Sequence, residues 1–293
     1  MNLCGHATRP LNHRGFYQLT KKIGKLCSSD STVQVRLNED SLYEFLVCDP
    51  YWNRLIHEYF YYEPEIFYFL DLLKGSKFAF VDGGANWGFW SVLASSSAYG
   101  AVETVAYEPM PNTFAFLARN AAINSDRFRI VQKALAVKDI KDVPMDVGDA
   151  AERSAAGASI AQSRDRGAGS GILVDAIGLD RALSELHSAM PTVIKLDLEG
   201  VERAVIDASH WVDDHDCVLI FEDHAKDPAC EVSAAVMARD WPVYFFHDDG
   251  RLDLIKSVEQ LAGLKTSSHR GYNLFGAHPG GVFDQLFMKQ LND

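Results

Sequence analysis

The sequence predicts a mostly parallel, doubly wound α/β sheet closed by an antiparallel edge hairpin, with an α+β extension at the N-terminus. Three observations predict it. From Phe78 onward, short β-rich runs alternate with helical patterns, the signature of βαβ units. The first of these runs ends in a glycine-rich turn, VDGGANWG (81–88). Near the end, VYFFHDDGRLDLI (243–255) holds two β-rich runs around Asp248-Asp249-Gly250, a hairpin signal.

Taken in order, the first thirty residues read as a poorly ordered arm, because Gly, Ser, Asn and Lys break any apolar period. VQVRL (33–37) and LYEFLVC (42–48) flank NEDS and predict a hairpin. An aromatic-rich amphipathic helix is expected from Tyr51 to Lys74, interrupted at Pro64, with Gly75 at a left-handed cap. These parts form an extension, residues 1–74, expected to pack on a core of residues 75–293. In that core FAFVD (78–82) is a buried strand, followed by a helix through about Ser97. VETVAYEP (102–109) is a second strand, NTFAFLARNAAIN (112–124) a helix, and FRIVQKALAV (128–137) a third strand with its exit. ILVDAI (172–177), a helix near 179–188, TVIKLDLEG (192–200), a helix from Val201 and CVLIFED (217–223) continue the alternation. GYNLFGAH (271–278) is expected as a last edge strand. Between Asp149 and Gly171 the chain is small and polar, which fits a flexible loop or a lid. Its Arg153, Arg164 and Arg166 would suit an anionic acceptor.

Composition narrows the function. Hydrophobic residues make up 47% and charged residues 23%, which excludes wholesale disorder. A net charge of −12 argues against nucleic-acid binding, which needs Lys and Arg to neutralise phosphates. No apolar run approaches the roughly 18 residues that span a bilayer. The start lacks a signal-peptide apolar core. Five scattered cysteines without Cys-x-x-Cys fit free thiols in a reducing cytoplasm.

The glycine turn carries the first functional signal. A strand ends on Asp82, Gly83 and Gly84 allow a ligand close to the backbone, and a helix starts after Gly88. Glu108 ends the next strand, where its carboxylate can accept both hydroxyls of a ribose. Gly83, Ala85 and Gly88 can be laid on the dinucleotide pattern G-x-G-x-x-G. Ala85, however, replaces the glycine that admits a pyrophosphate, and Asp82 sets a negative charge beside it. A nucleoside without phosphate that carries an amino-acid cation suits these residues better, as S-adenosylmethionine does. A side chain at Gly84, as in Gly84→Val, is expected to intrude on that ligand.

Four blocks together resemble the FkbM-type S-adenosylmethionine-dependent methyltransferases, over roughly Tyr61 to Ala277. YYEPE (61–65) resembles an acid-proline pair ahead of the first motif, with Glu63 as its acid. VDGGANWGFWS resembles D-x-G-A-N-x-G, matched at Asp82, Gly84, Ala85, Asn86 and Gly88. AYEPMPNTFAFLARNAAIN resembles E-P-x-P…L…N…N, matched at Glu108, Pro109, Pro111, Leu117, Asn120 and Asn124. IKLDLEGVE (194–202) resembles K-x-D-x-E-G-x-E, matched at Lys195, Asp197, Glu199, Gly200 and Glu202. The resemblance implies a seven-stranded Rossmann-like sheet, S-adenosylmethionine as cofactor, and methylation of a hydroxyl on a saccharide or polyketide-like acceptor. It further implies that Asp82, Gly84 and Asn86 line the methionine end and that Glu108 holds the ribose. Adenine is implied near Lys133 and Ala134.

Chemistry needs a base for the acceptor hydroxyl. Lys195, Asp197 and Glu199 share one strand face by parity, which turns Asp197 toward the crevice at the end of a central strand. Glu222 and His224 end the CVLIF strand and join Asp197 and Glu199 as candidate bases. Asp197, Glu199, Glu222 and Asp223 are also hard oxygen ligands, but no catalytic metal is expected. HWVDDHD (210–216) reads as a solvated turn and His247 as a hairpin tip. The alternatives to a methyltransferase are a nicotinamide-dependent oxidoreductase and a non-catalytic binding protein of the same fold.

Overall fold

The computed structural model describes residues 30–47, 49–56, 62–146, 159–160, 172–224, 227, 229–266 and 271–292. The arm before Asp30, Cys4, Cys27 and Cys48, and the 149–171 loop apart from Ser159 and Ile160 lie outside them.

Strands β1 (Thr32–Asn38) and β2 (Ser41–Leu46) form the expected antiparallel hairpin. Of the expected helix from Tyr51 to Lys74, the described residues hold a 3-10 turn at Trp52–Ile56 and helix α1 at Pro64–Leu72, with Glu63 in a left-handed conformation before it. Pro64 starts α1 rather than interrupting it, because its missing N–H falls where no intrahelical partner exists.

The main sheet has eight strands. β3 (Ala79–Gly83), β4 (Thr104–Tyr107), β5 (Arg129–Val131), β10 (Thr192–Leu196) and β11 (Cys217–His224) run parallel to one another. β12 (Val243–Phe246), β13 (Leu252–Ile255) and β14 (Gly271–Ala277) complete it antiparallel, in the order β13-β12-β14-β11-β10-β3-β4-β5. The hairpin β12–β13 closes the edge as expected. β14 is not at the edge but slots between β11 and β12, where both of its edges are paired. Its burial fits that place, since Tyr272 to Ala277 are all buried.

Two sequence assignments change. The run 128–137 splits, because β5 ends at Val131 and β6 (Ala134–Ala136) belongs to a separate sheet. ILVDAI forms β9 (Ile172–Gly178) in that same sheet, paired with β6 and with β7 (Ile140–Asp146), not in the main one. The two-residue strand β8 (Ser159–Ile160) extends it. Alternating patterns register strand character but not which edge a strand finds.

Helix α2 (Phe89–Ala94) follows β3, and α3 (Pro111–Ile123) follows β4. α3 fastens the N-terminal hairpin. Asn120 Nδ2 donates to the Glu44 and Trp87 carbonyls (3.0 and 2.9 Å), while its Oδ1 accepts the Glu44 N–H at 2.6 Å. Asn124 repeats the exchange with Leu42, accepting its N–H at 3.0 Å and donating to its carbonyl at 2.7 Å. Two side-chain amides thus pair with the outer edge of β2 as another strand would. Asn120→Ala is expected to leave the Glu44 peptide groups unpaired and cost about 2–3 kcal/mol, read as a lower urea midpoint. A midpoint equal to wild type would show the hairpin held by its apolar face alone.

That face is substantial. Tyr43, Phe45 and Trp52 share one apolar cluster with Phe89, Trp90 and the α1 residues Ile66 and Phe69. No helix among the described residues is long and apolar enough to cross a membrane.

Candidate functional site

β3 and β10 lie side by side, and the chain winds outward in opposite directions from them, which opens a crevice at their carboxyl ends. A cleft lies there, open to solvent and lined by residues of the glycine turn, the β4 and β10 exits and the N-terminal extension. The glycine turn forms its floor. Gly84 has φ of +71°, Asn86 +53° and Gly88 +86°, so three residues in five take the left-handed conformation.

Gly84 is required for a reason the sequence reading did not contain. A Cβ at this position would overlap the carbonyl oxygen of Asp197, not a ligand. The β3 turn and the β10 exit approach that closely, and Gly83 O accepts the Asp197 N–H at 3.0 Å. Gly84→Ala is therefore expected to cost roughly 3 kcal/mol or more of stability through overlap and positive φ together. A thermal midpoint near wild type would show that the two turns can separate.

Glu108 lines the cleft just beyond β4. Its two carboxylate oxygens accept the Asn86 N–H at 3.0 Å and the Met110 N–H at 2.9 Å. Each oxygen retains a second lone pair for a ligand hydroxyl. Burial pushes its pKa up to about 8 despite those two N–H donors. Ala85, Asn86, Pro109, Ala134 and Met145 also line the cleft. Lys133 does not; the adjacent apolar slot is formed by Met110, Ala134 and Leu135, with Met145 supplied by β7.

Asp82 is 1% exposed and stands behind the lining, opposite Lys195 in the β3–β10 register. Ser91 Oγ donates to its Oδ2 at 2.6 Å, while Oδ1 has no partner. Burial raises its pKa, against the pull of Lys195 and Ser91. The cation that Asp82 faces is thus the protein's own lysine. Lys195, 3% exposed, donates to Asp197 Oδ2 at 3.1 Å. Burial alone would lower its pKa, but Asp197, Glu63 and Asp82 outweigh burial and raise it. Glu63, in a left-handed turn before α1, accepts Trp90 Nε1–H at 2.5 Å, and burial raises its pKa. Glu63 and Gly88 stand outside the lining.

The candidate bases separate. β10 ends at Leu196, so Asp197 and Glu199 lie in the turn beyond it, and Glu199 adopts φ of +56°. Strand parity therefore does not extend to Glu199, yet both residues line the cleft. Glu202 shapes that turn, its carboxylate accepting the Leu198 and Gly200 N–H groups at 2.7 and 2.9 Å. Glu222 is not in the lining; its carboxylate occupies the space a Cβ on Gly271 would need. Asp223 points to the other sheet face, accepting the Ser233 N–H at 3.2 Å and the Ser233 hydroxyl. His224 closes β11, but its side chain lies outside the described residues. Among the described residues no group of three His, Cys, Asp or Glu could hold a metal ion. His247 sits at the β12–β13 tip, paired with Asp253 at 2.7 Å.

Sequence reasoning missed the aromatic wall of the cleft: Tyr51, Trp52, Tyr62, Phe89 and Trp90. Tyr51, Trp52 and Tyr62 lie in the ring-dense stretch 51–69, which reads as one helix face.

The methyltransferase FkbM domain matches residues 82–249, more than half of the chain. The chain belongs to the FkbM methyltransferase family. Among solved structures, this family member is similar to methyltransferase FkbM from Methylobacillus flagellatus KT, at 15% identity and a TM-score of 0.41. The match covers 68% of this chain and 43% of that one, so the chain spans less than half of that relative's length. It is also similar to the S-adenosylmethionine-dependent O-methyltransferase of Thermotoga maritima (11% identity, 74% and 66% covered, TM-score 0.38). A third is TYW2 of P. horikoshii in complex with MeSAdo (12% identity, 85% and 70% covered, TM-score 0.41). No curated protein sequence matches this family member.

Proposed function

We propose that the chain is an S-adenosylmethionine-dependent O-methyltransferase acting on a hydroxyl of a saccharide or secondary metabolite. The observation that carries the reading is Glu108, a buried carboxylate at a strand end that faces the glycine turn and keeps acceptor capacity on both oxygens. The donor set fits the cofactor. Glu108 would hold the ribose hydroxyls, the Met110–Ala134–Leu135–Met145 slot the adenine, and the turn at Gly84 to Asn86 the methionine end. Lys195 is the only cation lining the cleft among the described residues, and it is tied to Asp197. Ala85 stands where a dinucleotide turn carries the glycine that admits the pyrophosphate, which disfavours a nicotinamide dinucleotide.

S-adenosylmethionine, when bound, supplies a methyl group already activated on a sulfonium. The chain's own part is to orient the acceptor hydroxyl and take its proton. Asp197 and Glu199 are the bases we favour, since both face the cleft, and Asp197 is 27% exposed. Residues 1–74 form, in this reading, an extension packed on a methyltransferase domain of residues 75–293. Calorimetry with S-adenosylhomocysteine and with NAD, followed by an acceptor screen for methyl incorporation, tests the proposal. NAD binding without S-adenosylhomocysteine binding would overturn it.

A further inference from the structure

Lys195 carries more hydrogen-bonding capacity than its described neighbours take up. Its side chain is almost fully buried, yet the residue lines the cleft near the end of β10. Asp82 on β3, Glu63 ahead of α1 and Asp197 beyond β10 all act on its charge. Among the described residues only Asp197 is within ion-pair reach, its Oδ2 accepting an N–H at 3.1 Å. Asp82 takes its hydrogen bond from Ser91, and Glu63 takes its own from Trp90. An ammonium has three N–H donors, and keeping the others out of water is costly unless an oxygen meets them.

The carboxylate partner is divided in the same way. Lys195 holds Asp197 Oδ2, while Oδ1 accepts no hydrogen bond from a described residue. Asp197 also lines the cleft, and its backbone N–H is fixed on Gly83 O at 3.0 Å. Adjacent strand ends therefore present a donor and an acceptor side by side to whatever enters the cleft.

We infer that Lys195 is a catalytic residue that donates to the acceptor's oxygen while Asp197 Oδ1 takes the proton of that oxygen, a pairing that admits a hydroxyl and rejects an amine. The inference rests on the methyltransferase reading and deepens it. A hydroxyl oxygen has two lone pairs and one proton. One pair accepts from Lys195, the other attacks the methyl carbon, and the proton passes to Asp197. The O–H and S–CH3 bonds break, an O–CH3 bond forms, and the S–C electron pair stays on sulfur. The carboxylate and sulfonium charges are discharged together, so the step balances. An uncharged amine has a single lone pair. If that pair attacks, Lys195 is left unmet and faces the positive charge growing on nitrogen.

The test uses the full chain and the ring pair phenol and aniline, which differ only in the acceptor atom and are both uncharged at neutral pH. With the chain saturated by S-adenosylhomocysteine, calorimetry and saturation-transfer NMR should show phenol binding at least about tenfold tighter than aniline. In Lys195→Met, which has no donor to place, the two should bind within about threefold of each other. With S-adenosylmethionine, methyl should appear on phenol at least about a hundredfold faster than on aniline. Aniline that binds as tightly as phenol, or is methylated as fast, overturns the inference. A folded Lys195→Met variant that keeps the preference for phenol also overturns it; the wild-type ranking decides if that variant does not fold. Binding of S-adenosylhomocysteine without binding of phenol overturns it as well, and leaves the methyltransferase reading intact. Failure of S-adenosylhomocysteine itself to bind removes that reading instead.

Discussion

Lys195→Met is expected to lower the stability of the protein by about 3–5 kcal/mol at neutral pH, measured by urea unfolding. The ammonium group is almost fully buried, and Asp197, Glu63 and Asp82 all act on it. Methionine fills much the same volume but leaves those carboxylates without their counter-ion. The sign of the pH dependence follows. In the wild type the folded pKa of Lys195 is raised, so its contribution is fully present below the ordinary lysine value. In the variant the neighbouring carboxylates must take up protons instead, and Asp82 and Glu63 already have raised pKa values. The deficit should therefore shrink as pH falls toward 5 and grow as pH rises. A deficit that stays constant with pH would show that the lysine stabilises by packing alone.

Glu108→Ala is expected to weaken S-adenosylhomocysteine binding roughly thirtyfold or more, from the loss of a charged group that receives two hydroxyls, worth about 2–4 kcal/mol. The variant should also remove a pH dependence. In the free protein Glu108 has its pKa pushed up to about 8, largely by burial. A folded pKa above the unfolded one means a stability contribution present below about 4.5 and lost as pH rises through about 8. Two ligand hydroxyls favour the ionised carboxylate and should pull that pKa down. Binding below pH 8 then releases a proton, and affinity should rise by up to about tenfold per pH unit between 6 and 8. Glu108→Gln should bind weakly and without that slope. Calorimetry in two buffers of different ionisation enthalpy reads the released proton directly, and a wild-type slope of zero would remove Glu108 from the ribose position.

Both predictions concern residues that were legible as types before they were legible as partners. Glu108 could be placed from sequence because a βαβ unit brings the second strand's end beside the first turn. Lys195, Asp197 and Glu199 stood out as charges on a strand expected to be buried. That Asp82 faces Lys195 across the β3–β10 register, with Glu63 also acting on that lysine, could not be read, because it needs the pairing of segments more than a hundred residues apart.

Local chemistry by itself determined the alternation of strands and helices, the left-handed glycine turn, the edge hairpin at 243–255 and the carboxylate at the end of β4. Each rests on interactions among residues near in sequence, where periodicity and backbone freedom decide the outcome. Tertiary structure alone decided four other things. It moved β6 and β9 into their own sheet, and it set β14 between β11 and β12. It used Asn120 and Asn124 as a substitute strand edge for β2. It brought Tyr51, Trp52 and Tyr62 to the cleft. The physical reason is common to all four. Strand edges, side-chain amides and aromatic faces are satisfied by any complementary partner, and only the packed chain selects which one each of them meets.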